Sequence, residues 1–261
     1  MNRINQLFER KQKDILNIYC TAGYPNLSST VPVMQALESA GADLIELGMP
    51  YSDPLADGPT IQASSAVALK NGMSIQTLFQ QLEGVRETVQ LPIILMGYLN
   101  PVMQYGLEAF LAKCQTVGVD GLILPDLPMY EYENQYQALF EQYGIRLIFL
   151  VTPQTSEARI RKIDALSNAF IYVVSSAATT GKSAGFGAEN IAYFKRIQAM
   201  NLNNPTLIGF GISNHEAYTA ACLHANGAII GSQFIRVLEQ SQNIAADVAD
   251  FVNSIRGTVV I

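Results

Sequence analysis

Short apolar runs that alternate with helical segments are the strongest constraint on the fold of this 261-residue chain. The runs are rich in Ile, Leu and Val, which is typical of parallel strands that are buried on both faces. The segments between them carry apolar residues at helical spacing, and several end in Gly before the next run. The eight runs span residues 15–20, 43–48, 92–97, 120–125, 145–151, 169–175, 205–211 and 227–232.

Eight strand–helix units predict an α/β fold, a (β/α)8 TIM barrel that forms a single domain over residues 1–261. An open doubly wound sheet is the alternative, but no G-x-G-x-x-G follows the first run. No linker or shift in composition divides the chain. The segment at about residues 2–11 is polar and amphipathic, and we expect it to form an extra N-terminal helix that closes one end of the barrel.

Charge and composition exclude several classes of function. The chain has 16 Lys and Arg against 22 Asp and Glu, a formal charge of −6, which argues against nucleic acid and anionic membrane surfaces as partners. No apolar stretch approaches the roughly 20 residues of a spanning helix, and no signal peptide is visible. Three widely spaced cysteines predict reduced thiols and a cytoplasmic location. Two histidines without ligand spacing predict no metal site.

The second run contains the clearest candidate for catalysis, Glu46. It lies within the apolar sequence LIELG, on the same strand face as Leu44. A buried carboxylate is costly unless it is paired or used in chemistry. None of the eight runs contains Lys and only the fifth contains Arg, at its beginning, so a structural ion pair is disfavoured. Burial raises the pKa of a carboxyl group, which allows Glu46 to donate and accept a proton near neutral pH.

The loop after the second run contains Asp57 between Pro54 and Pro59. Prolines restrict φ, so this loop has a defined shape. Asp57 is either a second catalytic carboxylate or a turn residue before Gly58, and its position alone leaves both interpretations open.

The seventh and eighth runs end in glycine-rich sequences that predict a phosphate site. Gly211 follows one run, and Gly231 with Ser232 ends the other. Backbone N–H groups at such turns and at the start of a following helix bind anions, and the loops after these two strands commonly do so in barrels. The loop after the sixth run contains T-G-K-S, but the first glycine of a Walker A motif is replaced by Ser176, which excludes the nucleotide interpretation.

For several polar residues at the ends of the runs, the sequence allows two roles. Tyr19, Tyr98 and Asn100 either line a pocket or simply end strands. Asp126 and Pro128 indicate loop shape or an interface more than catalysis.

The sequence GADLIELGMPYSDPLADGPTIQ (residues 41–62) closely resembles the strand-2 signature of the tryptophan synthase alpha chain family. VGVDGLILPDLP, GFGIS and IGSQF resemble further landmarks of that family in the expected order, so the resemblance covers essentially the whole chain. It implies a barrel enzyme that cleaves indole-3-glycerol phosphate to indole and glyceraldehyde 3-phosphate without a cofactor of its own.

The resemblance also assigns roles to individual residues. It implies that Glu46 and Asp57 are the catalytic pair. The implied phosphate-binding residues are Gly181, Phe210, Gly211, Gly231 and Ser232, and the implied indole pocket contains Tyr19, Leu99, Leu124 and Tyr172.

The family further implies a beta-chain partner in an α2β2 heterotetramer, with pyridoxal phosphate in the beta chain. Pro-rich loops at the active-site end predict the interface, because prolines reduce the entropy lost on docking. The residues assigned to it are Asp53, Pro54, Asn100, Pro101, Asp126 and Pro128.

Two departures from the family pattern concern the site. The loop after the sixth run reads A-T-T-G at residues 178–181 where G-V-T-G is common, and Tyr19 stands where Phe is common. Two other functions remain as alternatives. One is a different phosphate-binding barrel enzyme of aromatic amino-acid metabolism, and the other is a weakly active regulatory subunit of a beta chain.

Overall fold

The computed structural model describes residues 1–54, 56–175 and 186–258, and in them a single parallel sheet forms the centre of the molecule. Each strand is short and almost completely buried, as the apolar runs predict. The strands are β1 (Ile15–Thr21), β2 (Leu44–Gly48), β3 (Ile93–Met96), β4 (Gly121–Ile123), β5 (Arg146–Leu147), β6 (Phe149–Val151), β7 (Ile171–Val174), β8 (Thr206–Gly209) and β9 (Gly227–Ile230).

The fifth apolar run closes the sheet into a barrel. Its two segments, β5 and β6, are separated only by Ile148 and lie at opposite ends of the strand order β5-β4-β3-β2-β1-β9-β8-β7-β6. Ile148 donates its backbone N–H to the carbonyl of Leu122 at 2.9 Å, so hydrogen bonding to β4 continues through the interruption. The eight predicted runs therefore occupy eight strand positions, and the predicted TIM barrel is confirmed.

Helices surround the barrel, and α1 begins before the first strand, which confirms the extra N-terminal helix. No helix in the described part of the chain is long and apolar enough to cross a membrane. The helices are α1 (Arg3–Arg10), α2 (Thr30–Ser39), α3 (Pro59–Lys70), α4 (Ile75–Leu82), α5 (Leu99–Tyr105), α6 (Leu107–Val117), α7 (Met129–Glu131), α8 (Gln137–Gln142), α9 (Glu157–Leu166), α10 (Ala188–Ala199), α11 (His215–Cys222), α12 (Ser232–Gln240) and α13 (Ile244–Arg256).

Helix α1 lies across the N-terminal end of the barrel. Its N-cap residue Asn2 accepts the N–H of Ile4 at 3.0 Å and donates to the carbonyl of Asp120 at 2.8 Å, directly before β4. Ile4 and Leu7 are buried. We call this end the floor and the opposite end, where all the parallel strands terminate, the mouth. Because every strand runs from floor to mouth, residues at the strand ends converge at the mouth.

Candidate active site

Glu46 lies inside the barrel in the middle of β2. It is in register with Tyr19 of β1 and Ile94 of β3, and only 1% of it is exposed. The side-chain amide of Asn17 donates to Glu46 Oε2 at 2.9 Å. Burial raises the pKa of Glu46 to about 8, the hydrogen bond from Asn17 opposes this, and the charge of Asp57 adds to it. At neutral pH Glu46 is therefore mostly protonated.

Asp57 lies just before α3 and is held by Tyr98 at the end of β3. The Tyr98 hydroxyl donates to Asp57 Oδ2 at 2.9 Å and accepts the backbone N–H of Ala56 at 2.9 Å. Gln62, one turn into α3, donates to the Asp57 carbonyl at 2.7 Å. Partial burial raises the pKa of Asp57, and the Tyr98 hydrogen bond opposes that rise. The loop therefore presents Asp57 in a fixed position.

A cavity of about 380 Å³ at the mouth joins both carboxylates. Its wall also contains aromatic and aliphatic side chains and the glycine-rich strand ends. The cavity thus combines acidic groups, an apolar surface and backbone donors in one space. The residues that line it are Tyr19, Glu46, Asp57, Gly58, Ile61, Met96, Tyr172, Phe210, Gly211, Ile212, Ser213, Ile229, Gly231, Ser232, Gln233 and Arg236.

Two tyrosines in the cavity wall depend on neighbouring glycines. A Cβ atom at Gly48 would collide with the hydroxyl end of Tyr19, and one at Gly209 would collide with that of Tyr172. Both rings are buried, and burial raises the pKa of both hydroxyls. They are therefore neutral and provide flat, mostly apolar walls near Glu46.

The ends of β8 and β9 form a cradle with open backbone. Gly211 has φ +73°, and a Cβ atom there would meet, among the described residues, only the Ser175 hydroxyl, at 3.8 Å. Phe210 also has a positive φ, 70°, a rare conformation for an aromatic residue and one that clusters at functional sites. Its carbonyl accepts a hydrogen bond from Ser175 at 2.7 Å.

Gly231 and Ser232 form the other half of the cradle, where Gly231 is the N-cap of α12 and Ser232 its first residue. The first N–H groups of a helix lack partners within the helix and attract anions. Arg236, one turn further along α12, also lines the cavity, and sequence reasoning missed it. Its four-residue spacing from Ser232 is the signal that could have identified it.

Comparisons with known proteins agree over nearly the full length. The family described as "Tryptophan synthase alpha chain" matches residues 5–258. The alpha chain of Flavobacterium johnsoniae is 56% identical over 256 residues, covering 98% of this chain and 100% of that one. The alpha chain of Bacteroides thetaiotaomicron is 54% identical over 243 residues, covering 93% and 95%.

Solved structures lead to the same family. The Legionella pneumophila alpha chain superposes with a TM-score of 0.88 at 32% identity, covering 99% of this chain and 97% of that one. A chain of the Pyrococcus furiosus tryptophan synthase complex superposes with a TM-score of 0.84 at 32% identity, covering 94% and 99%. The chain belongs to the tryptophan synthase alpha chain family.

Membership of the tryptophan synthase alpha chain family identifies the class of reaction. The chain is a lyase of tryptophan biosynthesis, and its half-reaction cleaves indole-3-glycerol phosphate. No cluster of three or more His, Cys, Asp or Glu in the described residues is arranged to hold a metal ion.

Most described residues that the tryptophan synthase alpha chain resemblance assigns to substrate line the cavity, but two do not. Leu99 is the first residue of α5 and Leu124 follows β4, and neither contributes to the wall. At β3 the wall is formed by Met96, which lies two residues after Ile94, the register partner of Glu46, and therefore faces inward. Gly181 lies outside the described residues, so its assignment stays a prediction.

The residues assigned to the alpha–beta interface lie in three neighbouring segments at the mouth, which are the loop after β2, the first turn of α5 and the loop after β4. Asp126 accepts the Leu99 backbone N–H at 2.9 Å, which connects the loops after β3 and β4. Asn100 donates to the Tyr51 hydroxyl at 3.2 Å, which connects the loops after β2 and β3. Asp53 accepts from Ser52 at 2.5 Å. Of the remaining predicted residues, Pro54 lies in the loop after β2, Pro101 in the first turn of α5 and Pro128 directly before α7.

Proposed function

We propose that Glu46 and Asp57 carry out the retro-aldol cleavage of indole-3-glycerol phosphate to indole and glyceraldehyde 3-phosphate. One observation carries this assignment: a single cavity contains a buried carboxyl group with a pKa of about 8, a second carboxylate and an anion cradle. These groups match the three requirements of the reaction, which are a proton shuttle, stabilisation of a cationic ring and a hold on the phosphate.

In the first step Glu46 acts as a general acid. Its proton moves to C3 of the indole ring, and the electron pair of the ring's C2–C3 double bond forms the new C–H bond. The positive charge then lies on the ring nitrogen. Asp57, fixed by Tyr98 at 2.9 Å, accepts a hydrogen bond from the ring N–H and stabilises that charge as a carboxylate.

In the second step Glu46, now a carboxylate, acts as a general base. It takes the proton of the side-chain hydroxyl while the bond between C3 and the hydroxyl-bearing carbon breaks. The oxygen forms the aldehyde, and the bonding electron pair returns to the ring as indole. Glu46 regains its proton, so the cycle balances and needs no external acid or base.

The cradle at Gly211, Gly231 and Ser232 would bind the substrate phosphate. Backbone N–H groups and the N-terminus of α12 favour a dianion there. The phosphate is remote from the bond that breaks, so its binding energy orients the reacting end of the substrate. The loop residue Gly181 stays a prediction for the same role.

We also propose that the chain works with a beta chain in an α2β2 heterotetramer. In the family that partner holds pyridoxal phosphate and condenses indole with serine, whereas the alpha half-reaction uses no cofactor. The loops with Asp53, Asn100 and Asp126 would face the partner, and two exposed side chains support this assignment. Met103 of α5 is 44% exposed, and Tyr130 of α7 is 68% exposed.

The cellular setting and the domain organisation follow as smaller proposals. Cys20, Cys114 and Cys222 are buried free thiols, which supports a cytoplasmic location. One hydrophobic cluster extends from Ile4 to Ile255, which supports a single domain over residues 1–261.

The test is release of indole and glyceraldehyde 3-phosphate from indole-3-glycerol phosphate by the purified chain, alone and with a cognate beta chain. We expect the two products in a 1:1 ratio and a faster rate with the partner. Asp57→Asn should lower kcat by about 10²–10⁴-fold, because an amide cannot stabilise the ring cation. Asp53→Asn, an exposed residue of the same loop, is the matched control for the chain alone. Absence of indole under both conditions, or normal turnover by Asp57→Asn, would reject the assignment.

A further inference from the structure

Asn17 is a polar side chain in the middle of β1, beside Glu46. It is completely buried, and its Nδ2 donates to Glu46 Oε2 at 2.9 Å. The described part of the chain makes no other hydrogen bond to the Glu46 carboxyl group. Glu46 also lines the cavity, and its second oxygen, Oε1, has no hydrogen-bond partner among the described residues.

The other end of the Asn17 amide has no structural use in the described residues. Its Oδ1 is buried and accepts no hydrogen bond from them. Leaving a buried acceptor unsatisfied costs free energy, which an apolar residue at this strand position would avoid. A residue selected only for barrel stability would not leave this cost in place. The contact with Glu46 is therefore what the amide provides.

We propose that Asn17 is a positioning residue for the lyase reaction. It fixes the Glu46 carboxyl group through Oε2 and stabilises the carboxylate that exists between the two proton transfers. This inference rests on the proposed function of Glu46. Burial alone would make the carboxylate too unstable to form readily, and one N–H donor makes it accessible while Glu46 remains an acid at neutral pH.

The groups around Glu46 are either apolar or, apart from Asp57, titrate at a higher pH than Glu46 does. Ile94 of β3 contributes only an apolar side chain. Burial raises the pKa of the two tyrosines and brings that of Cys20 to about 12, so these groups are neutral at pH 8. Below pH 9 the titrating groups of this cluster are therefore Glu46 and Asp57. The titratable groups of the described residues that interact electrostatically with Glu46 are Tyr19, Cys20, Asp57 and Tyr172.

The pH dependence of kcat/KM for indole release tests the role, with Asn17→Val and Asn17→Thr as a matched pair. The two side chains have the same shape, but only Thr can donate a hydrogen bond. Loss of the donor should raise the pKa of Glu46, so the alkaline limb should move up by about one pH unit in Asn17→Val. The limb of Asn17→Thr should lie between those of wild type and Asn17→Val.

Ile94→Val is the control for altered packing beside Glu46, and its alkaline limb should coincide with that of wild type. A purely structural role of Asn17 would lower stability or rate at every pH without moving the limb. Coincident limbs for wild type and Asn17→Val would therefore overturn the inference.

A second measurement uses the wild-type chain, so it does not depend on whether Asn17→Val folds. NMR signals of the Glu46 carboxyl carbon and the Asn17 side-chain amide, assigned with Glu46→Gln and Asn17→Thr, should titrate with one midpoint near pH 8. An amide signal that does not follow Glu46 overturns the inference. Normal turnover by Glu46→Gln would instead reject the proposed function, so the two failures are distinguishable.

Discussion

Buried carboxylates occur at both ends of this barrel, but their surroundings differ. At the floor, Asp120 is 3% exposed and bonds Arg86 at 2.6 Å, Arg3 at 3.2 Å and the backbone N–H of Ile93 at 2.9 Å. At the mouth, Glu46 is as deeply buried but has one amide donor among the described residues.

Two further floor carboxylates repeat the pattern of Asp120. Asp43, which precedes β2, contacts Lys11 and Arg256, each at 2.7 Å. Asp164, at the end of α9, accepts N–H groups of the segment before β8, and these hydrogen bonds hold its pKa low. Floor carboxylates are therefore surrounded by hydrogen-bond donors or cationic partners. At the mouth, Glu46 is left with one donor among the described residues, which makes a proton available for chemistry.

Glu46→Gln tests the mouth most directly. It keeps the shape of the side chain but removes the proton shuttle, so kcat should fall by about 10²–10⁴-fold with little change in KM. Indole release under saturating substrate measures this. Glu83→Gln, a change at an exposed helix end, is the control and should retain wild-type turnover. A Glu46→Gln chain with near-normal kcat would mean that the difference between floor and mouth has no catalytic meaning.

Asp120→Asn tests the floor. Removing one charge leaves Arg86 and Arg3 without their buried counter-ion, so the free energy of unfolding should fall by about 3–5 kcal/mol. Urea titration followed by circular dichroism measures the loss, and Asp250→Asn on the surface of α13 is the control. The folded fraction should retain wild-type kcat. A large loss of kcat with unchanged stability would contradict a purely structural floor.

Gly211→Val tests the phosphate cradle. The positive φ of 73° strains any side chain, and the Val side chain occupies space at the backbone donors. Loss of one or two hydrogen bonds to a charged group should raise KM by about 10–100-fold. Steady-state kinetics with indole-3-glycerol phosphate measures this, and Gly41→Ala, which also has positive φ but lies far from the cavity, controls for strain. An unchanged KM would place the phosphate elsewhere.

The smallest expected effect is a change in how the stability of the fold depends on pH. The folded pKa of Glu46, about 8, is above its ordinary value of 4.5, so its contribution to stability is present below pH 4.5 and lost as pH rises through 8. Glu46→Gln lacks this loss. Its Tm relative to wild type should therefore be more favourable at pH 8.5 than at pH 5, as measured by thermal unfolding. A pH-independent difference would show that Glu46 has an ordinary pKa.

The overall fold could be predicted from the sequence because the apolar runs have a clear period. The predicted strand ends lie within about two residues of those observed, an ordinary error for strand boundaries. The interruption at Ile148 could not be predicted, because IRLIFLV is a continuous apolar run. The two neighbouring strands together determine which residue of such a run interrupts the strand.

The candidate site could be predicted only in part. Glu46 is conspicuous in an apolar strand, whereas Asn17 gains its role from Glu46 on the next strand and Tyr98 from Asp57 in the loop before α3. The first pairing depends on strand register and the second on the path of a loop, and one sequence contains neither. Register also decides which residues of β3 face the cavity, so Met96 could not be identified from the sequence alone.

Helix α1 has a consequence for the order in which the chain folds. Asn2 bonds the carbonyl of Gly144 at 3.1 Å, and Asn5 accepts from Arg146 at 3.3 Å, so the first residues span the join between β4 and β5. These contacts join positions more than 140 residues apart along the chain. Loop closure of this length is entropically costly and slow. Docking of α1 and closure of the barrel should therefore occur together and late, after more than half of the chain is already in place.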